Sequence, residues 1–174
     1  GEPLVRQDLC EVMEYASKEL GFHWGMTTNG ILLNEKNIAK LKNANMESIS
    51  VSIDGLQETH DEFRGVPGSY NIIMNNIKKL KEADFVKHLQ VTTVFHKKNI
   101  NQLQELYDIM KNLGLDSWRL VSIDPIGRAN ENSELLLDGK ELKELLDFIK
   151  SKNKKHCLQL SYGCPGFLGL DYEK

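Results

Sequence analysis

The segment Ser48–Gly55, SISVSIDG, decides how the rest of the chain is read. Its Ile and Val residues alternate with Ser, which suits a half-buried β-strand. Alternation puts Val51 and Ile53 on one face and Ser52 and Asp54 on the other. The Asp-Gly that follows is turn chemistry. The strand therefore ends in a short hydroxyl and a carboxylate, groups suited to the amine, hydroxyl or carboxylate of a ligand. Asp54 has a second reading, in which it ties down the loop.

Working outward, helical and strand patterns alternate on both sides of this strand. Upstream, Asn34 is placed to cap a short helix carrying Ile38 and Leu41. Before that, FHWGMTT (residues 22–28) reads as a strand turned by Asn29-Gly30. The first helix is expected to be capped by Asp8, to bury Leu9, Val12, Met13, Ala16 and Leu20, and to stop at Gly21. Downstream, a polar loop runs through Gly68, and Ser69 is expected to cap a helix with Ile73, Ile77 and Leu80 inward. The strand LQVTTVF (89–95) precedes a helix marked by Leu103, Leu106, Met110 and Leu113. WRLVSI (118–123) is the next strand, and Leu142, Leu145, Leu146 and Ile149 define the last helix. CLQLSY (157–162) is the final strand candidate.

Strands alternating with crossover-length helices predict βαβ units. The fold class is α/β, a partial (β/α)6 TIM-like barrel with a curved, mostly parallel sheet of four or five strands. Segments after strands carry Gly, Asp, Asn, His and Arg, whereas segments after helices are short connectors. Ligands of such folds sit at the carboxyl ends of the strands. The opening Gly1-Glu2-Pro3 reads as a loop leaving a further strand that is not in the chain. FHWGMTT is then expected to expose an edge, and that edge predicts a dimer, a swapped element or poor solubility.

The 174 residues suit one domain, and a net charge of −3 argues against a phosphate-backbone partner, so no nucleic acid is expected. No apolar run is long enough to span a bilayer and the polar start is not a signal peptide, so the expected setting is the cytoplasm, away from membrane. Cys10, Cys157 and Cys164 form no CxxC pair, and no metal site is expected from this chain alone. Cys10 and Cys157 read as small, partly buried residues.

Four motifs in order, GEP (1–3), TTNG (27–30), VSIDG with HDEFRG (51–65), and PIGRA (125–129), resemble the radical S-adenosylmethionine (SAM) superfamily, in particular members with a C-terminal SPASM region. The resemblance implies that residues 1–160 are a partial radical SAM barrel and that 161–174 begin the SPASM-like region. It implies that Gly1, Glu2 and Pro3 approach the methionine amino group of SAM, largely through backbone. Thr28 and Ser52 are implied as SAM contacts, with Asp54, Arg64, Asn99 and Arg128 as further SAM-binding candidates. Asn99 otherwise caps a helix, Arg64 and Arg128 otherwise anchor a loop or substrate, and His60 is given no catalytic part.

The family's CxxxCxxC motif, which ligates a [4Fe–4S] cluster, is absent. Those ligands are expected outside this chain, while Cys164 is a candidate ligand of an auxiliary [4Fe–4S] cluster. The implied activity is cleavage of SAM to a 5′-deoxyadenosyl radical that abstracts a substrate hydrogen, with the chain by itself inactive. The expected substrate is a peptide or protein side chain. The alternatives are a heme-pathway tetrapyrrole and a non-catalytic peptide-binding scaffold.

Overall fold

The computed structural model describes residues 1–153, 158–163 and 172, with Arg128 described by its backbone alone. Five strands, β1 (Gly25–Thr28), β2 (Ser48–Ser52), β3 (His88–Phe95), β4 (Ser117–Ser122) and β5 (Gln159–Tyr162), form one sheet in sequential order. Every pair is parallel, as the alternating patterns predict, and the sheet is open. Among the described residues α1 (Leu9–Lys18) precedes β1, and five helices lie between strands: α2 (Glu35–Asn43), α3 (Gln57–Arg64), α4 (Ser69–Glu82), α5 (Leu103–Asn112) and α6 (Gly139–Asn153). Among the described residues no helix is long and apolar enough to cross a membrane.

The register divides the sheet into two chemically different faces. Ile49, Val51, Leu89, Val91, Phe95, Trp118, Leu120 and Leu160 share the helix-facing side and are buried. Against them pack Ile38 and Leu41 of α2, Ile73, Ile77 and Leu80 of α4, Leu106 and Met110 of α5, and Leu145 of α6. The polar atoms in this layer are satisfied: Trp118 Nε1 donates to Thr93 Oγ1 at 2.8 Å, and Thr93 donates to the Ile53 carbonyl at 2.6 Å. The opposite, concave face carries Ser48, Ser50, Ser52, His88, Gln90, Thr92, Ser117, Arg119 and Ser161. Near its amino end, Ser50 bonds Thr92 at 2.8 Å, Gln90 donates to Ser50 at 3.0 Å, and His88 meets Ser117 at 2.8 Å. Sheets in such folds are usually buried on both faces and apolar throughout. A polar concave face reserves this side for water and ligand.

Local signals behave unevenly. Asn34 caps α2, accepting from the Asn37 N–H at 3.0 Å, as expected. Asp8 does not cap α1, because its carboxylate takes the Arg6 guanidinium at 2.6 and 2.9 Å instead. The face expected of α1 is only partly covered, with Val12 45 % and Leu20 55 % exposed, because α1 packs on α2 at the outer edge of the layer. The stretch expected as one polar loop before Gly68 contains α3. Ser69 is the first residue of α4 and not its cap. Asp61 of α3 does that work, accepting from Gly68 N at 2.6 Å, Tyr70 N at 2.8 Å and Ser69 Oγ at 2.9 Å.

Three bonds on one carboxylate make Asp61 the cap of α4, and the Tyr70 N–H foremost holds its pKa below the usual range. Asp61→Ala should destabilise the chain, read as a lower urea midpoint with unchanged slope. An unaltered midpoint would show that α4 needs no cap from α3.

Candidate functional site

Because all strands run the same way, their carboxyl ends line one rim, and the sequence motifs meet there. Gly1-Glu2-Pro3 opens a short 3-10 turn (Pro3–Val5) that is fastened to β1. Glu2 Oε1 accepts from Thr28 Oγ1 at 2.7 Å and Leu4 N at 3.2 Å, and Oε2 accepts from Asn29 N at 2.7 Å. The first two motifs are thus one cluster. Thr28 sits in register with Val51 on the helix-facing side, is buried, and also accepts from Gly30 N at 3.1 Å. Gly30 has φ +79°, and a Cβ there would lie 2.8 Å from Val51 and 2.9 Å from Ile73, so the turn requires glycine.

Asp54 is fully buried at the end of β2 and is held from four directions. Its Oδ1 accepts from Val94 N at 2.8 Å, while Oδ2 takes both Nε and Nη2 of Arg64. Its backbone N–H donates to His60 Nδ1 at 3.0 Å, and its carbonyl accepts from Asn99 Nδ2 at 3.0 Å. Asn99 also donates to the Val94 carbonyl at 2.8 Å and accepts from His96 N at 2.8 Å. Its side chain is fully occupied and does not cap the following helix. Gln102 completes the tie, accepting from Leu56 N at 2.9 Å and donating to Thr59 at 2.7 Å.

His60 and His96 are buried beside this hub. Each accepts a backbone N–H at Nδ1, which assigns the Nε2–H tautomer, and neither Nε2 has a partner among the described residues. Burial, the leading cause, lowers both pKa values. His96 stacks on Phe63 with centroids 4.6 Å apart and faces a cavity of about 670 Å³. Thr59, Glu62, Lys98 and Ile123 also line it.

Ser52 differs from its neighbours. It lies on the concave face, half-buried at the tip of β2, and makes no hydrogen bond through its side chain to any described residue. Arg128 falls in the 3-10 segment after β4 (Gly127–Leu135), at the same rim. Cys157 and Cys164 lie outside the described residues, so the auxiliary-ligand expectation for Cys164 does too. Cys10 is partly buried, and burial raises its thiol pKa. Among the described residues no cluster of His, Cys, Asp and Glu could hold a metal ion.

The rim thus brings together Gly1, Glu2, Pro3, Thr28, Ser52, Asp54, Arg64 and Asn99. It divides them into groups bonded inward (Glu2, Thr28, Asp54, Arg64, Asn99) and one with a hydroxyl to offer (Ser52). Sequence reasoning passed over Gln102, His96 and Arg119. Only Arg119 carried a signal, since strand alternation sets it on the face opposite Trp118 and Leu120.

An open, all-parallel α/β sheet with its polar groups gathered at the strand carboxyl ends defines a partial barrel with a ligand rim. The model of the radical SAM superfamily matches residues 1–110, and the chain belongs to that superfamily. It is 33 % identical over 165 residues to an AdoMet-dependent heme synthase of Methanosarcina barkeri (strain Fusaro / DSM 804), covering 94 % of this chain and 46 % of the relative. It is 28 % identical over 157 residues to an Fe-coproporphyrin III synthase of the same strain, covering 89 % and 38 %. The chain spans less than half the length of these relatives. Streptococcus suis SuiB bound to S-adenosylmethionine has the same fold, with TM-score 0.76 at 19 % identity, over 95 % of this chain and 38 % of that one. The family implies SAM and a [4Fe–4S] cluster as cofactors.

Two outcomes follow from the hub. Arg64→Met should cost about 3 kcal/mol by leaving the Asp54 carboxylate buried without its cation. Asp54→Asn should cost less in that background than alone, a double-mutant coupling of about 1 kcal/mol or more, and strict additivity would refute the pairing. For the histidines, a depressed folded pKa means the unfolded chain binds protons more readily. Their contribution is complete above about pH 6.5 and is lost as pH falls below it. The urea midpoint should therefore drop between pH 7 and pH 5, and His60→Gln/His96→Gln should flatten that slope. An equal slope in both proteins would contradict it.

Proposed function

We propose that this chain is the SAM-positioning part of a longer radical SAM oxidoreductase acting on a tetrapyrrole side chain. The observation that carries the SAM assignment is the unpaired Ser52 hydroxyl on the concave rim, next to the strand that holds Gly1–Pro3. Thr28, Asp54, Arg64 and Asn99, named from the motifs as SAM contacts, support the reading as positioning groups. Glu2 and Thr28 hold the Gly1–Pro3 backbone against β1, and the Asp54 hub fixes the loop just beyond Ser52. Arg128 is proposed as a further anchor from the loop after β4.

The donor set of the described residues fits SAM and does not fit the cluster, whose thiolates would come from elsewhere in the longer protein. When bound in the longer protein, a reduced cluster would supply the electron for reductive cleavage of SAM, the radical chemistry by which a substrate hydrogen would be removed. The residues of this chain bind and orient: Ser52 bonds the methionine end or ribose of SAM, and the folded rim excludes water from the reacting C–H bond.

The sequence motifs by themselves favoured a peptide or protein substrate. The identity to proteins named for heme and Fe-coproporphyrin III synthesis moves the balance to a tetrapyrrole. The peptide reading keeps the support of the shared fold with SuiB, also solved bound to precursor peptide SuiA, and with anSMEcpe, solved with AdoMet and the Cp18Cys peptide. Auxiliary clusters and a SPASM-like segment from residue 161 onward belong to the same proposal. The outer edge of β1 is open in the described sheet. A strand of the longer protein or of a second copy would satisfy it.

The test is anaerobic reconstitution of the full-length protein with iron and sulfide, followed by dithionite, SAM and Fe-coproporphyrin III. The expected result is 5′-deoxyadenosine formation that rises with the porphyrin, and a SAM affinity about tenfold weaker in Ser52→Ala. The chain of residues 1–174 alone should form neither cluster nor 5′-deoxyadenosine. A full-length protein that binds the cluster yet never cleaves SAM would favour the non-catalytic scaffold.

A further inference from the structure

Ser52 has a counterpart two strands away. Ser52, Thr92, Arg119 and Ser161 are register partners and form one row across the concave face. Adjacent strands lie about 4.8 Å apart, so Ser52 and Arg119 are separated by roughly 10 Å. Thr92 is bonded to Ser50 and Gln90. Arg119 is exposed on this face, and its guanidinium has no hydrogen-bond or ion-pair partner among the described residues. Each of the other two arginines with described side chains, Arg6 and Arg64, is paired with an aspartate.

The guanidinium is nevertheless placed. It runs along β4 toward the rim and lies over Gly163, where an added Cβ would stand 2.6 Å from Nε and 2.9 Å from Nη2. The same Cβ would meet Val121 at 2.7 Å. Gly163 itself is fixed, donating its N–H to the Leu120 carbonyl at 2.8 Å. Two of its nitrogens thus lie close to the Gly163 backbone on the concave face, with hydroxyl-bearing Thr92 and Ser161 as its register neighbours on either side.

We infer that Arg119 anchors a carboxylate of the substrate, so that the substrate is anionic and is held about two strands from the SAM group at Ser52. A planar fork of N–H donors matches a carboxylate in two parallel bonds, which fixes orientation as well as position. The inference deepens the proposed function and rests on its tetrapyrrole reading in the choice of probe, since coproporphyrin III bears carboxylate side chains. Gly163 is the positioning residue that leaves the guanidinium free to lie toward the rim.

The experiment uses the full-length, cluster-loaded protein and titrates Fe-coproporphyrin III by absorbance and SAM by equilibrium binding. Arg119→Gln should weaken the porphyrin about tenfold to a hundredfold and SAM far less. Arg119→Lys should fall between, and Gly163→Ala, which keeps the charge but displaces it, should weaken the porphyrin as well. Wild-type porphyrin affinity in Arg119→Gln would overturn the inference. So would a loss confined to SAM, which would assign the guanidinium to the carboxylate of SAM. If the wild-type protein binds no Fe-coproporphyrin III, the tetrapyrrole reading fails, and a second measurement decides Arg119. Its Nε–H resonance, assigned by its absence in Arg119→Gln, should shift saturably with propionate and stay still with propionamide. No shift with propionate overturns the inference.

Discussion

A carboxylate with no solvent exposure at the end of β2 sets the terms for everything around it. Burying the charge of Asp54 would cost several kcal/mol if it were left unpaired, so the surrounding chain converges on it. Arg64 reaches back from α3, β3 offers the Val94 N–H, and Asn99 closes over the Asp54 carbonyl while holding the turn after β3. Through this one group the ends of two strands, a helix and a loop take fixed relative positions. Glu2 acts likewise at β1, where one carboxylate binds the 3-10 turn to Thr28 and Asn29.

These inward bonds give the rim its division of labour. The charged and amide groups at the strand tips are used up in holding the loops. The apolar core between helices and sheet supports them from behind, with its few polar atoms satisfied through Thr93. What remains for a ligand is the concave face, where Ser52 and Arg119 occupy the same row with unspent hydrogen-bonding capacity. A site assembled this way is ordered before anything binds.

Much of the fold was legible in the sequence because its strands alternate and its helices keep a 3.6-residue period; SISVSI, LQVTTVF and the Ile73–Ile77–Leu80 stripe all lie where their patterns put them. The helix α3 was hidden because its one buried residue is His60, so QETHDEFR shows no apolar stripe. The Asp8 and Ser69 caps failed for a related reason: a competing partner, Arg6 or Asp61, cannot be weighed from residue type alone. At the site, the motifs located the rim but not the use of each group. Asp54 and Asn99 are 45 residues apart, and only the folded chain shows the side chain of one closing over the carbonyl of the other. Thr28 was named as a SAM contact from the TTNG motif; register with Val51 puts it on the helix-facing side, where its hydroxyl is bonded to Glu2. Arg119 stood in plain view in WRLVSI, yet its lack of a partner is a property of the structure.

The most direct test is an anaerobic crystal structure of the full-length, cluster-loaded protein with SAM. The account predicts SAM on the concave face with Ser52 Oγ within hydrogen-bonding distance, while Glu2–Thr28, Asp54–Arg64 and Asn99–Asp54 keep the bonds seen here. SAM bonded to the side chains of Thr28, Asp54 or Asn99 after those internal bonds have broken, or SAM bound away from this rim, would contradict it.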